Sequence, residues 1–232
     1  MDGFGVSAIA GQDIGLPARQ TFNQGTVDAC FSCAIATALE GRGPDVPALA
    51  AAFHLHHASP EGGGMTLAIA QSVQSFHGIC RRSLYQFDVG AGSPSEAPSP
   101  DAAADGLRRR TLSDDDGEWT FRRLPGVHRP REWQVALSER LPVLIRIWLN
   151  PGYWAMQNQS SDPVWTDTAN PGTQNHAVVA LGYEAAKQRF IIHDSRGAAF
   201  ANHGQWFLTE TQATLGPITD AYVITVPMAN LL

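Results

Sequence analysis

Apolar residues recur at helical spacing in the first part of the chain and at strand spacing in the last part, and this change of period limits what the chain can build. The pattern predicts helices over Cys30–Glu40, Val46–His57 and Leu67–His77, then a helix over Arg131–Arg140 that feeds a strand in LPVLIRIWL. Strands follow over Asn175–Tyr183, Arg189–His193 and Tyr222–Val226, where apolar residues alternate or run together. Helices first and strands second make an α+β fold.

Between the two regions, Asp88–Glu118 is rich in Ser, Pro, Ala, Gly and Asp and reads as a flexible insert or linker, residues 88–118. It separates a helical lobe, residues 1–87, from a β-rich lobe, residues 119–232, within one domain. Met1–Asn23 is Gly-rich and irregular and is expected to lie across both lobes. With 232 residues, 44% of them hydrophobic, the chain is long enough to bury a core without stabilising bridges.

The net charge of −6 argues against a nucleic-acid partner. No apolar run approaches the roughly 18 residues of a membrane span. The first fifteen residues have neither the basic start nor the continuous apolar stretch of a signal peptide. The expectation is a chain that is cytoplasmic as synthesised, with leaderless export or delivery into another cell as further routes. Three cysteines do not make the even set of a disulfide framework, which favours a reducing compartment. A single lysine, Lys187, against fifteen arginines fits a GC-rich bacterial genome.

The stretch QGTVDACFSCAIATALE, Gln24–Glu40, sets a glutamine six positions ahead of a cysteine that opens an apolar helix. Downstream, NHAVVALGY supplies His176 and FIIHDSRG supplies Asp194, each beside a strand. The free N–H groups and positive dipole end of a helix N-terminus favour a thiolate over a thiol. A thiol nucleophile, a histidine base, an acid that orients the base and an amide donor for an oxyanion are the parts of covalent acyl transfer. Cys33, inside the first turn, is expected to pack.

This order and spacing resemble the papain-like cysteine peptidases. The family register runs glutamine, glycine, four residues, cysteine, then glutamate ten positions on; Gln24, Gly25, Cys30 and Glu40 meet it without a gap, and Cys33 does not. His176 follows Cys30 by 146 residues, within the roughly 130–150 of papain-type chains. The resemblance implies a two-lobed papain-like fold, a helical N-terminal lobe facing an antiparallel β-barrel-like C-terminal lobe, with the site in the cleft between them. It makes Cys30 the nucleophile, His176 its base, Asp194 the orienting group, and Gln24 with the Cys30 backbone N–H the oxyanion donors.

The chain departs from the family in two places. Relatives carry asparagine followed by Ser-Trp-Gly, and this chain reads Asp194, Ser195, Arg196, Gly197. In place of Cys-Gly-Ser before the nucleophile stand Val27, Asp28 and Ala29, which removes the disulfide of secreted relatives. Without the tryptophan, the Arg196 guanidinium plane is left to cover the orienting contact or to pair with Asp194.

EGGGMTLAIAQSVQSF, from Glu61, resembles the family's glycine pair and the helix after it. The resemblance sets the backbone of Gly64, with Gly63 before it, against an extended peptide. Met65 and Ala177 then edge an apolar pocket, with Asn175 beside the histidine. His54, His56 and His57 have no cysteine or carboxylate at ligand spacing and read as a solvated helix end, so no metal is expected. The arginines 108–110 and the acids 114–116 read as solvated surface. The expected activity is hydrolysis of a peptide or protein substrate through a Cys-His-Asp triad and an acyl-enzyme, with no cofactor, no nucleic acid and no membrane. The sequence sets no oligomeric state. The same thiol would also serve an acyltransferase or transpeptidase, and a catalytically weak peptide-binding homologue is a third reading.

Overall fold

The computed structural model describes residues 12–17, 21–59, 65–89, 94–111, 121–166 and 172–232. After a two-residue strand β1 (Ile14–Gly15), the chain enters α1 (Cys30–Glu40). This Ala-rich segment contains no Gly or Pro, and Ala and Leu have the highest helix propensities. Nine of its eleven residues are buried, so it runs through the core. Its end is held close to the sheet: a Cβ on Gly41 would meet Leu181 at 2.6 Å and Pro142 at 2.9 Å.

Around α1 pack α2 (Ala51–Ala58) and α3 (Leu67–Phe76), the latter capped by Thr66, whose hydroxyl accepts from Ile69 N–H at 3.2 Å. The second helix begins at Ala51 rather than Val46. The preceding backbone is engaged elsewhere, since Ala50 N–H donates to Cys80 O at 2.9 Å and Ala48 O accepts from Arg82 N–H at 2.8 Å.

The segment read as a flexible insert holds a docked helix, α4 (Pro100–Arg108), which corrects that reading for residues 94–111; residues 112–120 lie outside those described. The residues that suggested a loop are a helix-start set: Ser99 accepts from Ala102 N–H, Pro100 occupies the first turn, and Asp101 faces the dipole. Of the three arginines expected on the surface, Arg109 is 1% exposed. Its guanidinium meets Asp105 at 2.7 Å and donates to the Leu231 carbonyl at 3.2 Å, while Asp105 accepts from Arg81 N–H at 2.8 Å. At Gly78 (φ +64) a Cβ would lie 2.1 Å from Gly106 O, so α4 seats only on glycine. Asp105→Ala would leave Arg109 buried and unpaired. The expected cost is about 3–5 kcal/mol, measured as a lower urea midpoint at constant m; a loss under about 1 kcal/mol would mean that this pair does not anchor α4.

The rest of the chain is β2 (Phe121–Arg123), α5 (Pro130–Ser138), β3 (Val143–Leu149), α6 (Pro151–Ala155), β4 (Gln174–Glu184), β5 (Arg189–His193), β6 (Gln205–Thr209), α7 (Glu210–Leu215), β7 (Ile218–Ile224) and α8 (Met228–Leu231). The strands form one antiparallel sheet in the order β2-β7-β3-β4-β5-β6, with β1 on β4. Strands β2 and β6 stand at opposite ends of this path, so the sheet is open where a barrel-like lobe was expected. Alternation places Ala177, Val179 and Leu181 of β4 in the core around α1. Val178 and Ala180 face the other way, into a core that holds Trp133, Trp165, Trp206, Tyr153 and Phe190. The fold is α+β, with α1 to α4 on one face of the sheet and α5 to α7 on the other.

Candidate active site

The start of α1 and the first residues of β4 meet at a cleft of about 440 Å³, whose lining includes Gln24, Cys30 and His176. Cys30 is the first residue of α1 and is half-buried. His176, 1% exposed, donates from Nε2 to Asp194 Oδ1 at 2.7 Å. Its other nitrogen, Nδ1, remains for the Cys30 thiol, to which the imidazole is also hydrogen-bonded. Asp194 follows β5 directly, and its N–H donates to Gly204 O at 2.8 Å.

What holds Asp194 comes from two segments distant from it in the chain. Tyr153, from α6, donates its hydroxyl to Asp194 Oδ2 at 2.8 Å, and Trp206, from β6, donates its indole N–H to the same oxygen at 3.1 Å. The Tyr153 ring also stands edge-on to His176, with centroids 5.8 Å apart. Both side chains are fully buried, so they shield the His176–Asp194 contact as well as saturating the carboxylate. A buried indole N–H usually finds an acceptor, which was the one signal available in the sequence, and it does not hold everywhere: Trp133 Nε1 has none among the described residues.

Electrostatics follow from this geometry. Burial would drive His176 toward neutrality, but the Asp194 charge, its hydrogen bond and the Cys30 thiol outweigh it and hold the imidazole at about 9. Burial likewise opposes the Asp194 anion. The His176 charge and the hydrogen bonds from His176, Tyr153 and Trp206 prevail, and its carboxyl lies below the usual range. Burial, followed by the Asp194 charge, keeps the Tyr153 hydroxyl protonated. Among the described residues Arg196 forms no ion pair with Asp194: the guanidinium lies over the Trp154 ring, 5.0 Å from its centroid, and reaches the Tyr153 hydroxyl beside the carboxylate.

Gln24 is buried and belongs to a loop clipped to the Asp194 segment. Its backbone N–H donates to Ser195 O at 2.8 Å, Gly197 N–H donates to Phe22 O at 2.9 Å, and the Ser195 hydroxyl donates to Gln24 Oε1. The side-chain amide gives one N–H to Val27 O at 3.1 Å; an amide NH₂ has two donors. Gly25 (φ +56) turns the chain toward Cys30.

Met65 and Asn175 line the cleft; Ala177, next to His176 along β4, instead turns into the core under α1, 1% exposed. Gly63 and Gly64 lie outside the described residues. Cys33 is also 1% exposed, and burial pushes its thiol well up, so it is placed for packing. Asp28 lies exposed at the cleft edge. A second hollow, about 570 Å³, is bounded by Arg131, Gln134, Glu210 and Thr214 of α5 and α7 and holds no thiol or histidine.

The histidine cluster differs from the expected solvated helix end. His54 is wholly buried, accepting at Nδ1 from the Ser32 hydroxyl at 3.0 Å and donating from Nε2 to Ala70 O at 3.2 Å. Among the described residues no group of three or more His, Cys, Asp or Glu side chains is placed to hold a metal ion. Burial lowers His54 to about 3 and His193 to about 4. The unfolded chain takes up these protons near 6.5 and the folded chain does not, so stability is lost as pH falls below 6.5. By pH 5 the loss is about 2 kcal/mol for each of the two. Urea midpoints at pH 7 and pH 5 test this, and equal midpoints would contradict it.

Among the described residues no helix is long and apolar enough to cross a membrane. No protein-family model matches the chain, and no curated protein matches it. Solved structures do. Xylellain, a cysteine protease from Xylella fastidiosa, superposes with a TM-score of 0.76 at 16% identity, over 96% of this chain and 88% of that one. Digestive procathepsin L 3 of Tenebrio molitor gives 0.68 at 17% identity, over 94% and 71%. Bromelain protease from Ananas comosus, solved with the E64 inhibitor, gives 0.62 at 18% identity, over 93% and 99%. The helices laid on an open antiparallel sheet, with a cleft at the start of α1, are therefore the fold of the papain-like cysteine proteases.

Proposed function

We propose that the protein is a cysteine peptidase whose catalytic group is Cys30, with His176 as acid–base, Asp194 as the orienting anion and Gln24 as an oxyanion donor. The observation that carries this reading is the chain of contacts from the half-buried Cys30 through His176 to a carboxylate held by Tyr153 and Trp206. Similarity of fold to known cysteine proteases supports the same assignment.

In the proposed reaction the Cys30 sulfur attacks a peptide carbonyl carbon, and the C=O electron pair moves to oxygen. The second Gln24 amide N–H and the Cys30 backbone N–H stabilise that oxyanion. Collapse breaks the C–N bond, His176 gives its Nδ1 proton to the leaving amine, and a thioester remains. His176, now neutral, takes a proton from water, whose oxygen attacks the thioester; the acid product leaves and the thiolate returns. Asp194 stays ionised and fixes the ring so that Nδ1 faces the sulfur. The peptide is expected to lie along Met65 and Asn175, with Gly63 and Gly64 supplying backbone contacts on the acyl side.

The test is incubation with a peptidyl epoxide, digestion and mass spectrometry, beside hydrolysis of an internally quenched peptide mixture. The expected result is one adduct, on Cys30, that blocks cleavage. An adduct elsewhere, or cleavage that survives full labelling, would overturn the assignment.

A further inference from the structure

We infer that Arg196 forms an anion-binding subsite on the leaving-group side of the cleft, and that the preferred substrate carries a carboxylate at the residue just after the scissile bond. The inference rests on the peptidase reading above. Arg196 lines the cleft beside Trp154, His176 and Gln174. Its guanidinium lies over the 41%-exposed Trp154 ring at 5.0 Å, which orients the planar fork.

Among the described residues no ion pair to Arg196 is formed, and its buried Nε has no hydrogen-bond partner. On its inner side the guanidinium is hydrogen-bonded to the Tyr153 hydroxyl, which itself donates to Asp194. The one acid in the described lining is Asp28, two residues before Cys30. A guanidinium that lines the cleft, held over an aromatic ring and without an ion pair among the described residues, is suited to an incoming carboxylate.

Its position sets the side. The leaving nitrogen takes its proton from His176 Nδ1, so the residue attached to that nitrogen passes over the His176 wall. Tyr153 and Trp154 of α6 form that wall, with Tyr153 against His176 and Trp154 under Arg196. Met65 lies on the α1 wall, where the acyl half is expected. The carboxylate has two possible sources: an acidic side chain on the first leaving-group residue, or the free C-terminus of a short leaving fragment.

Two peptide pairs separate these sources. One pair differs only in Glu or Gln after the scissile bond; the other ends one residue after it as free acid or amide. For the wild-type protein kcat/KM should favour the anionic member of at least one pair by about 10- to 100-fold, and the preference should shrink with added salt. In Arg196→Gln the ratio should fall to near one, and Arg196→Lys should keep part of it. Because each ratio is internal to one preparation, a change in the amount of active protein does not move it. Equal rates within both pairs, or a preference that survives in Arg196→Gln, would overturn the subsite.

A measurement without turnover separates failure of this inference from failure of the peptidase reading. The leaving-side peptides Glu-Leu-Ala-amide and Gln-Leu-Ala-amide, and Ala as free acid and amide, are titrated by calorimetry into Cys30→Ala and into Cys30→Ala/Arg196→Gln. Tighter binding of an anionic member that needs Arg196 sustains the subsite even if no peptide is cleaved. Equal binding of both members overturns it even if cleavage is efficient.

Discussion

Cys30→Ala is expected to abolish both peptide hydrolysis and epoxide labelling, while Cys33→Ser keeps both. Removing the nucleophile of a residue set that acts as a unit lowers kcat by on the order of 10⁵–10⁶-fold. Only Cys30 of the two thiols opens α1, reaches the cleft and touches His176. Cys33 lies one turn inward among Ala34, Ile35 and the rest of the core, so a serine there buries a hydroxyl and is expected to reduce stability by about 1–3 kcal/mol. Assays at 25 °C and a urea titration of each variant separate the two effects. Retained turnover in Cys30→Ala, or lost turnover in a folded Cys33→Ser, would transfer the nucleophile to Cys33 and undo the register with Gln24.

The second large effect is expected at Asp194, and the structure makes it larger than the family's use of asparagine suggests. The carboxylate only accepts: Oδ1 from His176, Oδ2 from Tyr153 and Trp206. Asparagine has one oxygen and one NH₂. If its oxygen keeps His176, its NH₂ faces the indole of Trp206, which can only donate; if it flips, the NH₂ faces His176 Nε2 and stabilises the wrong tautomer. Activity in Asp194→Asn is therefore expected to fall by about 10²–10⁴-fold. The alkaline limb of kcat/KM, set by His176 at about 9, is expected to move to lower pH because the anion that favours the imidazolium is gone. Asp194→Asn/Trp206→Phe removes the opposing donor and is expected to recover part of the rate but not the limb. A limb that stays in place in Asp194→Asn, with no recovery in the double variant, would assign the orienting role elsewhere.

What could be read in the sequence was local. Cys30, His176 and Asp194 each sit at the end of a periodic segment, and the residues around them mark those ends. The helix over Cys30–Glu40 and the cores of β3, β4 and β5 follow from period alone. Tyr153 and Trp206 were not legible, because they reach Asp194 from segments 41 and 12 residues away that only the sheet brings together. Ala177 was misplaced by one step of strand alternation. Helix α4 was missed because Ser, Pro and Asp serve a turn and a helix start equally well, and what fixes it is a partner in Leu231 far along the chain.

The clip between the Gln24 loop and the Asp194 loop has a consequence for how the protein is made. Its partners lie 171 residues apart, and a ribosome delivers the N-terminal side first. The thiol-bearing helix is complete early, but the loop that aims Gln24 has nothing to hold it until residue 195 has emerged and β4, β5 and β6 have paired. Closing a contact of that span is among the late events of folding. On the proposed peptidase function, a nascent or half-folded chain thus carries a cysteine without an oriented base or oxyanion donor, and the timing of assembly itself would keep it from cutting neighbouring chains.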